Sequence, residues 1–487
     1  MNRPVGQIAS KTTGAVTELE PGTSRPVASR KAQKQLAGRL AGLSLPQQVL
    51  VLAFWPFLEQ LMSFLVGTVD LALAGRLHPD SVVEDATDAL GVAAYFGWLM
   101  SLFHSAIGVG AAALVARAIG ARHKRLANSV LGQSMVLALC SGFAVAISVY
   151  ASAPWLAPPE MTRQAESWCV LYLRMIALVA PASALLLVGG ACLRSAGDTR
   201  TPFAVMLAVN LVNIVASCLF VYGPAPLGGW GVAGIAAGTQ VAWCVGAVLT
   251  LVVLSRARLV HLYRHRLRPH WHTIKRILRI GVPNLLEGVG AMWLGNYFVL
   301  MIVSTLGISG AIGAHMIAIR AESLSFLPGF AIGISAATLV GQYLGLGDPH
   351  RAQKAVLMCW GLAAVFMGLL GMLLFLFPSF FIHLMTDASA LNRMARHPLM
   401  VAGPVQVFFA TQMVFGQALR GAGDTRATLL ITALCILLIR VPGAYLIGHT
   451  FGYGLTGIWF ALCGEMVVRA MFYAARFFNG RWRDLEI

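Results

Sequence analysis

Residues 193–203 read LRSAGDTRTPF and residues 419–429 read LRGAGDTRATL, so the octet L-R-x-A-G-D-T-R occurs twice in the chain. Three further pairs of blocks repeat in the same order at nearly the same offset: 59–70 with 287–298, 107–120 with 332–345, and 229–238 with 452–461. A nearly constant offset over four blocks predicts a duplicated structural unit. The chain therefore consists of two related halves.

The composition indicates that both halves lie in a membrane. Of the 487 residues, 58% are hydrophobic and only 11% are charged, whereas a soluble chain carries roughly 25% charged residues. Apolar runs long enough to cross a bilayer recur along the whole chain, which predicts an all-α integral membrane protein. The twelve predicted transmembrane helices are 46–75, 89–116, 129–150, 167–191, 203–222, 231–254, 277–304, 312–340, 355–382, 398–418, 428–448 and 455–475.

Positive charge is distributed unevenly between the two sides of these helices. With the N-terminus inside, the N-terminal arm, the even-numbered loops and the C-terminal tail hold 27 of the 36 Lys and Arg residues. This asymmetry predicts that both termini are cytoplasmic, in a plasma (inner) membrane. The net charge of +17 then indicates contact with anionic lipid headgroups, above all at loop 255–276, rather than with nucleic acid.

The repeat also predicts the domain organisation. Each half has six helices, an even number, so the two halves are parallel repeats with a site between them, as in many transporters. The predicted parts are a disordered basic cytoplasmic arm (1–44), an N-lobe (45–255), a basic cytoplasmic inter-lobe loop (256–276), a C-lobe (277–478) and a cytoplasmic tail (479–487).

The two octets are predicted to be structural. Gly197 and Gly423 permit tight turns, and Asp198 and Asp424 can cap the helices that follow. The flanking arginines are expected at the inner headgroups.

The doubled octet, GTVDLALAGRL (67–77), IGVGAAALVARAIGARHKR (107–125) and GWGVAGIAAGT (229–239) together resemble the multidrug and toxic compound extrusion (MATE) family. The resemblance covers about residues 46–475. It implies two six-helix lobes in a V and export of cationic or amphipathic organic compounds, driven by inward flow of H⁺ or Na⁺.

Ionisable residues inside a membrane are functional candidates because burying a charge there is costly. The acids within predicted helices are Glu59, Asp70, Glu287, Glu322 and Glu465, and the bases are Arg174, Arg320, Arg440 and Arg469. Asp70 follows Glu59 by eleven positions, which at about 100° per residue returns to nearly the same helix face. The resemblance points to Asp70 as the cation-binding or proton-binding carboxylate of the N-lobe. Glu59 is either a second such group or a residue that caps a kink near Pro56.

Neutral polar residues extend this candidate site. Asn210, Asn213 and Ser217 share one helix face. The resemblance supports Asn213 and Thr239 as site residues, although the family commonly has an Asp where this chain has Ser217. These side chains either bind the transported cation or hydrogen-bond between helices.

In the C-lobe the candidates are Glu287, the repeat counterpart of Glu59, and Glu322. Arg440 is expected to pair with Glu322 or Glu465, and Glu465 can also pair with Arg469 at i+4. A paired acid is less free to bind a cation, so Glu287 is the preferred C-lobe candidate.

We therefore expect a secondary antiporter that works by alternating access. It is expected to be a monomer without a cofactor, with H⁺ favoured over Na⁺ as the coupling ion. One alternative is a flippase for lipid-linked sugars, but its cavity would be rich in Arg and Lys. A polytopic membrane enzyme is a second alternative, and no catalytic cluster supports it.

Overall fold

The computed structural model describes residues 36, 40–74, 83–157, 161–224, 226, 228–308, 310–386 and 388–487. Within these ranges all regular secondary structure is helical. Eleven helices are long and apolar enough to cross a membrane, and a bent pair of shorter helices makes a twelfth span. The all-α membrane fold predicted from the sequence is therefore confirmed.

The helices fall into two sets of six spans. The first half comprises α1 (Leu45–Ala74), α2 (Val83–Gly120), α3 (Lys124–Leu156), α4 (Arg163–Leu178), α5 (Ala180–Ser195), α6 (Arg200–Tyr222) and α7 (Gly231–Leu254). The second half comprises α8 (Trp271–Ser304), α9 (Ala311–Gly345), α10 (Pro349–Leu376), α11 (Ser389–Ala422), α12 (Thr425–Thr450) and α13 (Gly454–Phe478). A short helix, Pro378–His383, links α10 to α11.

The fourth span is broken rather than straight, which the sequence did not predict. Helices α4 and α5 meet at Val179 with a bend of 54°. Pro181 lies in the first turn of α5. Proline has no N–H to continue the hydrogen bonding of α4, so it is tolerated where one helix ends and the next begins.

Two spans in the second half contain π-helical turns that carry charged residues. The turn Leu286–Trp293 in α8 follows Pro283 and includes Glu287. The turn Ile436–Arg440 in α12 ends on Arg440. Such turns are rare and occur frequently at functional sites.

The halves meet closely at the end of the bundle that carries residues 121–123, 196–199, 255–270, 346–348 and 479–487, which we call the basic end. There α2 crosses α9 with almost no space between their backbones. A Cβ atom on Gly120 would lie 1.9 Å from the carbonyl oxygen of Gln342, and one on Gly345 would lie 2.1 Å from that of Arg117. Only glycine fits at either position. The Gln342 side chain also donates a hydrogen bond to the Ser195 carbonyl at 2.9 Å.

Residues 479–487 pack at the basic end. The Trp482 ring is 1% exposed and stacks on Phe477 with ring centroids 5.1 Å apart. Farther along, the carbonyl oxygen of Leu485 accepts a hydrogen bond from the Arg117 guanidinium at 2.6 Å. This segment therefore joins the second half to α2 of the first.

The octets form the predicted turns, but their charged residues make different contacts from those expected. Gly197 and Gly423 adopt left-handed φ angles of 94° and 91°. Asp198 accepts from the Thr201 backbone N–H at 3.3 Å, at the start of α6. Asp424 does not cap α12 through its side chain, and instead accepts from the Arg476 guanidinium at 2.8 Å.

The octet arginines are the second difference. Arg194 and Arg420 do not extend to the headgroups as we expected. Each turns inward, because a glutamate in the first helix of the same half supplies a counter-charge there.

Candidate functional site

The five acids within the spans fall into two classes by their partners. Three are neutralised by arginine, and two have no basic partner among the described residues. The paired acids are Glu59, Glu287 and Glu465, and the unpaired ones are Asp70 and Glu322. Each half contains one unpaired acid.

Asp70 lies in α1 with only 7% of its surface exposed. Its carboxylate accepts hydrogen bonds from the Thr239 hydroxyl at 3.0 Å, the Tyr172 hydroxyl at 3.4 Å and the Asn213 amide at 3.5 Å. The Asn213 amide also donates to the Thr239 hydroxyl at 3.0 Å. Helices α1, α4, α6 and α7 thus converge on one carboxylate. The site brings together the predicted residues Asp70, Asn213 and Thr239.

Tyr172 is the member of this site that sequence reasoning missed. It lies on α4 and is 8% exposed. A single tyrosine in an apolar helix is ordinary, and only its buried hydroxyl requires a partner. Since the contact with Asp70 spans 102 positions, no local pattern could have revealed it.

Ser217 is fully buried, yet its hydroxyl has no hydrogen-bond partner among the described residues. It packs against Gly238, where a Cβ atom would lie 2.1 Å from the Ser217 Oγ. The Asn213 Oδ1 atom is likewise buried without a partner. Buried polar atoms are usually hydrogen-bonded, so two oxygen acceptors in this region are unused.

Glu59 is the second acid of α1, and Arg194 from the first octet binds it at 2.6 Å. Both side chains are about one-seventh exposed, at 14% for Glu59 and 15% for Arg194. The glutamate therefore has its counter-charge within the same half, and the alternative role of a simple kink cap near Pro56 does not account for this contact.

Glu287 is almost fully buried, with 1% of its side chain exposed. Arg420 binds its carboxylate at 2.5 Å, and Thr428, Thr432 and Tyr473 donate at 2.7, 2.8 and 3.1 Å. We preferred Glu287 in the C-lobe because it was expected to be unpaired. That expectation is wrong, because the arginine of the second octet reaches it.

These two ion pairs are equivalent under the repeat. The first octet arginine binds the glutamate of α1, and the second octet arginine binds the glutamate of α8. The repeated sequence therefore builds the same buried contact twice. This contact explains why the octet retains arginine next to its turn in both halves.

Of the two partners expected for Arg440, Glu322 and Glu465, it is Glu465 that forms the ion pair. The Arg440 guanidinium donates to Glu465 at 2.8 Å and to the Asn296 side-chain oxygen at 3.0 Å. Arg469 also lies 2.9 Å from Glu465, as its i+4 spacing predicts. Both arginines are nearly fully buried. The group holds two positive charges against one negative charge.

Glu322 is thus the acid of the second half for which the described residues provide no salt bridge, although Arg440 acts on it through space. It lies in α9, 6% exposed, and accepts one hydrogen bond from the Gln406 amide at 3.0 Å. Ser325 donates to the Gln406 oxygen at 2.9 Å, which fixes the orientation of the amide. Gln406, on α11, was not identified from the sequence because a single glutamine in a long helix carries no periodic signal.

Comparisons with known proteins agree with this architecture. The MatE family model matches residues 56–219 and 288–446. The chain is 30% identical over 433 residues to a probable multidrug resistance protein NorM of Thermotoga maritima, covering 88% of this chain and 91% of the relative. It is 28% identical to the multidrug resistance protein NorM of Burkholderia vietnamiensis, over 86% of this chain and 91% of that protein.

The fold also matches solved structures. An outward-facing multidrug resistance MATE transporter of the MOP superfamily superposes with a TM-score of 0.84, at 22% identity, covering 91% of this chain and 98% of that one. A MOP superfamily transporter from Pyrococcus furiosus superposes with the same TM-score over 93% of this chain and 99% of that one, at 21% identity. The helical fold, the duplicated halves and the family match agree, and the chain belongs to the MatE family of multidrug efflux transporters.

Proposed function

We propose that this protein is an antiporter that exports cationic or amphipathic organic compounds in exchange for protons, with Asp70 as the exchange site. One observation carries the proposal. The Asp70 carboxylate is buried inside a span and contacts three neutral donors and no base among the described residues. An isolated charge in such a place needs a counter-charge.

Either a proton or an organic cation can supply that counter-charge. When Asp70 is ionised, it attracts a cationic compound from the cell. When a proton enters from outside, it neutralises the same carboxylate and the organic cation is released. The proton and the organic cation compete for one carboxylate, so Asp70 can hold only one of them at a time. Exchange is obligatory because release of one leaves a charge that only binding of the other neutralises.

Sodium is the alternative coupling ion, and the site offers it oxygen atoms. Asn213 Oδ1 and Ser217 Oγ have no partner among the described residues, and the Thr239 hydroxyl lies beside Asp70. Sodium, like other hard cations, is bound by oxygen ligands, and negative charge strengthens such a site. With Ser217 instead of a second acid, only one carboxylate is available. This favours the proton.

Glu322 is a second exchange site in the proposal. Like Asp70, it is buried and forms no salt bridge among the residues that the structure describes, although Arg440 lies close enough to act on its charge. Glu287 has a different role, since Arg420 already neutralises it. One unpaired acid in each half allows each half to respond to a proton independently.

The contact between α2 and α9 at the basic end supports alternating access as the mechanism in this proposal. The basic end is closed by the glycine contacts between α2 and α9. If both termini are cytoplasmic, as the charge distribution predicts, this structure is closed towards the cytoplasm. Loading from the cell then requires these two helices to separate.

Transport into proteoliposomes tests the proposal directly, with H⁺ and Na⁺ gradients imposed separately and tetraphenylphosphonium as the organic cation. We expect a proton gradient alone to drive transport by the wild type. Asp70→Asn imitates the protonated acid permanently and should abolish proton-driven transport in a folded protein. Asp88→Asn is the matched control, because Asp88 is an exposed residue of α2 outside the site.

Two further variants separate the alternatives. Ser217→Asp adds a second carboxylate and should make transport sensitive to Na⁺. Glu322→Gln tests the site of the second half. Wild-type transport by Asp70→Asn together with no transport by Glu322→Gln would assign coupling to the second half and refute the central role of Asp70.

A further inference from the structure

A second polar site lies outside the transport pathway, where the loop after α7 folds against the start of α3. A cavity of about 450 Å³ opens there at the basic end. Its charged and ring-bearing lining residues include Lys124, Arg125, Arg258, His261, His265 and Arg266.

The charges around this cavity are unbalanced. Four lining residues are Lys or Arg, and the lining contains no acid. The ion pairs among the described residues include none of these four bases. Like charges grouped around one concave surface create a positive potential that attracts anions.

The backbone of the site adds to this potential. The first N–H groups of α3 have no intrahelical partners, and the positive end of the helix dipole lies there. His123, the N-cap residue, makes no side-chain capping bond. Lys124 and Arg125 occupy the first turn, where a positive side chain is unfavourable without a bound anion.

The other half provides an internal comparison. The repeat offset of 225 aligns His123 with Asp348, the N-cap of α10. Asp348 caps that helix by accepting from the Arg351 N–H at 3.0 Å, its carboxylate lies 3.6 Å from the Arg351 guanidinium, and Pro349 stands at the position of Lys124. The second half therefore satisfies this helix end with its own carboxylate, whereas the corresponding residue of the first half, His123, supplies no negative charge.

The cavity is preformed rather than a chance arrangement of long side chains. Gln133 of α3 donates to the carbonyls of Arg266 and Arg268 at 2.7 and 2.8 Å, and it accepts from the His270 N–H at 2.8 Å. Asn128 accepts from the His261 N–H at 2.9 Å. Two amide side chains of α3 thus hold the loop at four residues between His261 and His270.

We propose that this cavity binds the phosphate group of an anionic phospholipid. The position of the cavity favours a lipid phosphate over a soluble one, because the cavity lies where α3 begins at Lys124 and α7 ends at Leu254. On the last two turns of α7, which ends at the cavity, apolar side chains are exposed: Val248 by 59% and Val252 by 40%. They offer a surface for acyl chains beneath a phosphate held by the bases.

Thermal unfolding of the detergent-purified full chain tests the proposal by titration with dihexanoyl phosphatidylglycerol, or with dihexanoyl phosphatidylcholine as the uncharged-headgroup control. We expect phosphatidylglycerol to raise the melting temperature saturably, and phosphatidylcholine to raise it much less. Lys124→Gln combined with Arg258→Gln should weaken the binding of phosphatidylglycerol at least tenfold. Arg351→Gln combined with Lys354→Gln removes the same charge from the corresponding helix of the second half and should bind as the wild type does.

Three results would overturn the proposal. The first is an equal loss of lipid binding in both double variants, which indicates attraction to net charge alone. The second is an equal shift with inorganic phosphate, which assigns the cavity to a soluble anion. The third is undiminished binding by Arg258→Gln, a single loop substitution that leaves α3 intact and serves if the double variant does not fold. Binding is measured without transport, so the outcome is independent of the proposed antiport.

Discussion

Replacing Glu287 by glutamine should destabilise the protein strongly, and more than the equivalent change in the first half. Glu287→Gln removes the charge that neutralises Arg420 at 2.5 Å in a site where the glutamate is 1% exposed. Loss of one partner from a buried ion pair costs about 3–5 kcal/mol. The three hydroxyl donors around the carboxylate would also lose a charged acceptor.

The repeat supplies the matched comparison. Glu59→Gln makes the same chemical change at the counterpart position, but Glu59 has a single arginine contact and is 14% exposed. Loss of one charge-assisted hydrogen bond costs roughly 1–3 kcal/mol. We therefore expect Glu287→Gln to lower the melting temperature of the purified protein more than Glu59→Gln does.

A double-mutant cycle with Arg420→Gln completes the test. Removing both charges should restore part of the stability lost by Glu287→Gln alone, since Arg420 is then no longer left unpaired. The reasoning fails if Glu287→Gln melts at the wild-type temperature, or if the two single effects at Glu287 and Arg420 simply add.

The remaining predictions concern the turn of the second octet, the membrane topology and the contact between α2 and α9. Asp424→Ala should reduce the amount of folded protein in membranes without changing substrate preference, because Arg476 loses its partner at 2.8 Å; normal yield with a new substrate profile would contradict this. His265→Cys, in a background without reactive native thiols, should resist impermeant maleimide on intact cells and react after permeabilisation; free reaction on intact cells would reverse the topology. Gly345→Ala should lower the free energy of unfolding by about 1–3 kcal/mol through overpacking. Gly361→Ala is the control, because no atom lies within 4 Å of its Cβ position, and it should leave the stability unchanged. Thermal unfolding measures both variants.

The fold was predictable because it depends on signals that the sequence carries locally. Apolar runs of sufficient length indicate the spans, and the four repeated blocks indicate the two halves. The break at Val179 was not predictable from run length, since a bent pair of short helices has the same composition as one span. Only the position of Pro181 could have suggested it.

The candidate site was predictable in part. Asp70, Asn213 and Thr239 were identifiable because a carboxylate and aligned polar side chains in apolar helices are unusual. The inward turn of Arg194 and Arg420 was missed because both were treated as loop residues near lipid headgroups. The sequence did carry a signal for this contact. Each repeat contains both the glutamate of its first helix and the arginine of its octet, which is the pattern that an ion pair within each half would produce.

Pairing within and between the halves has a consequence for how the protein is made. The Glu59–Arg194 contact spans 135 positions, so the ribosome supplies both charges before the second half emerges. The contact of Arg117 with Leu485 spans 368 positions. During synthesis, the first half can therefore neutralise Glu59 early, whereas Arg117 of α2 gains its contact with Leu485 only after both halves have been made. A ribosome that stalls before Leu485 would therefore leave the first half inserted without this contact.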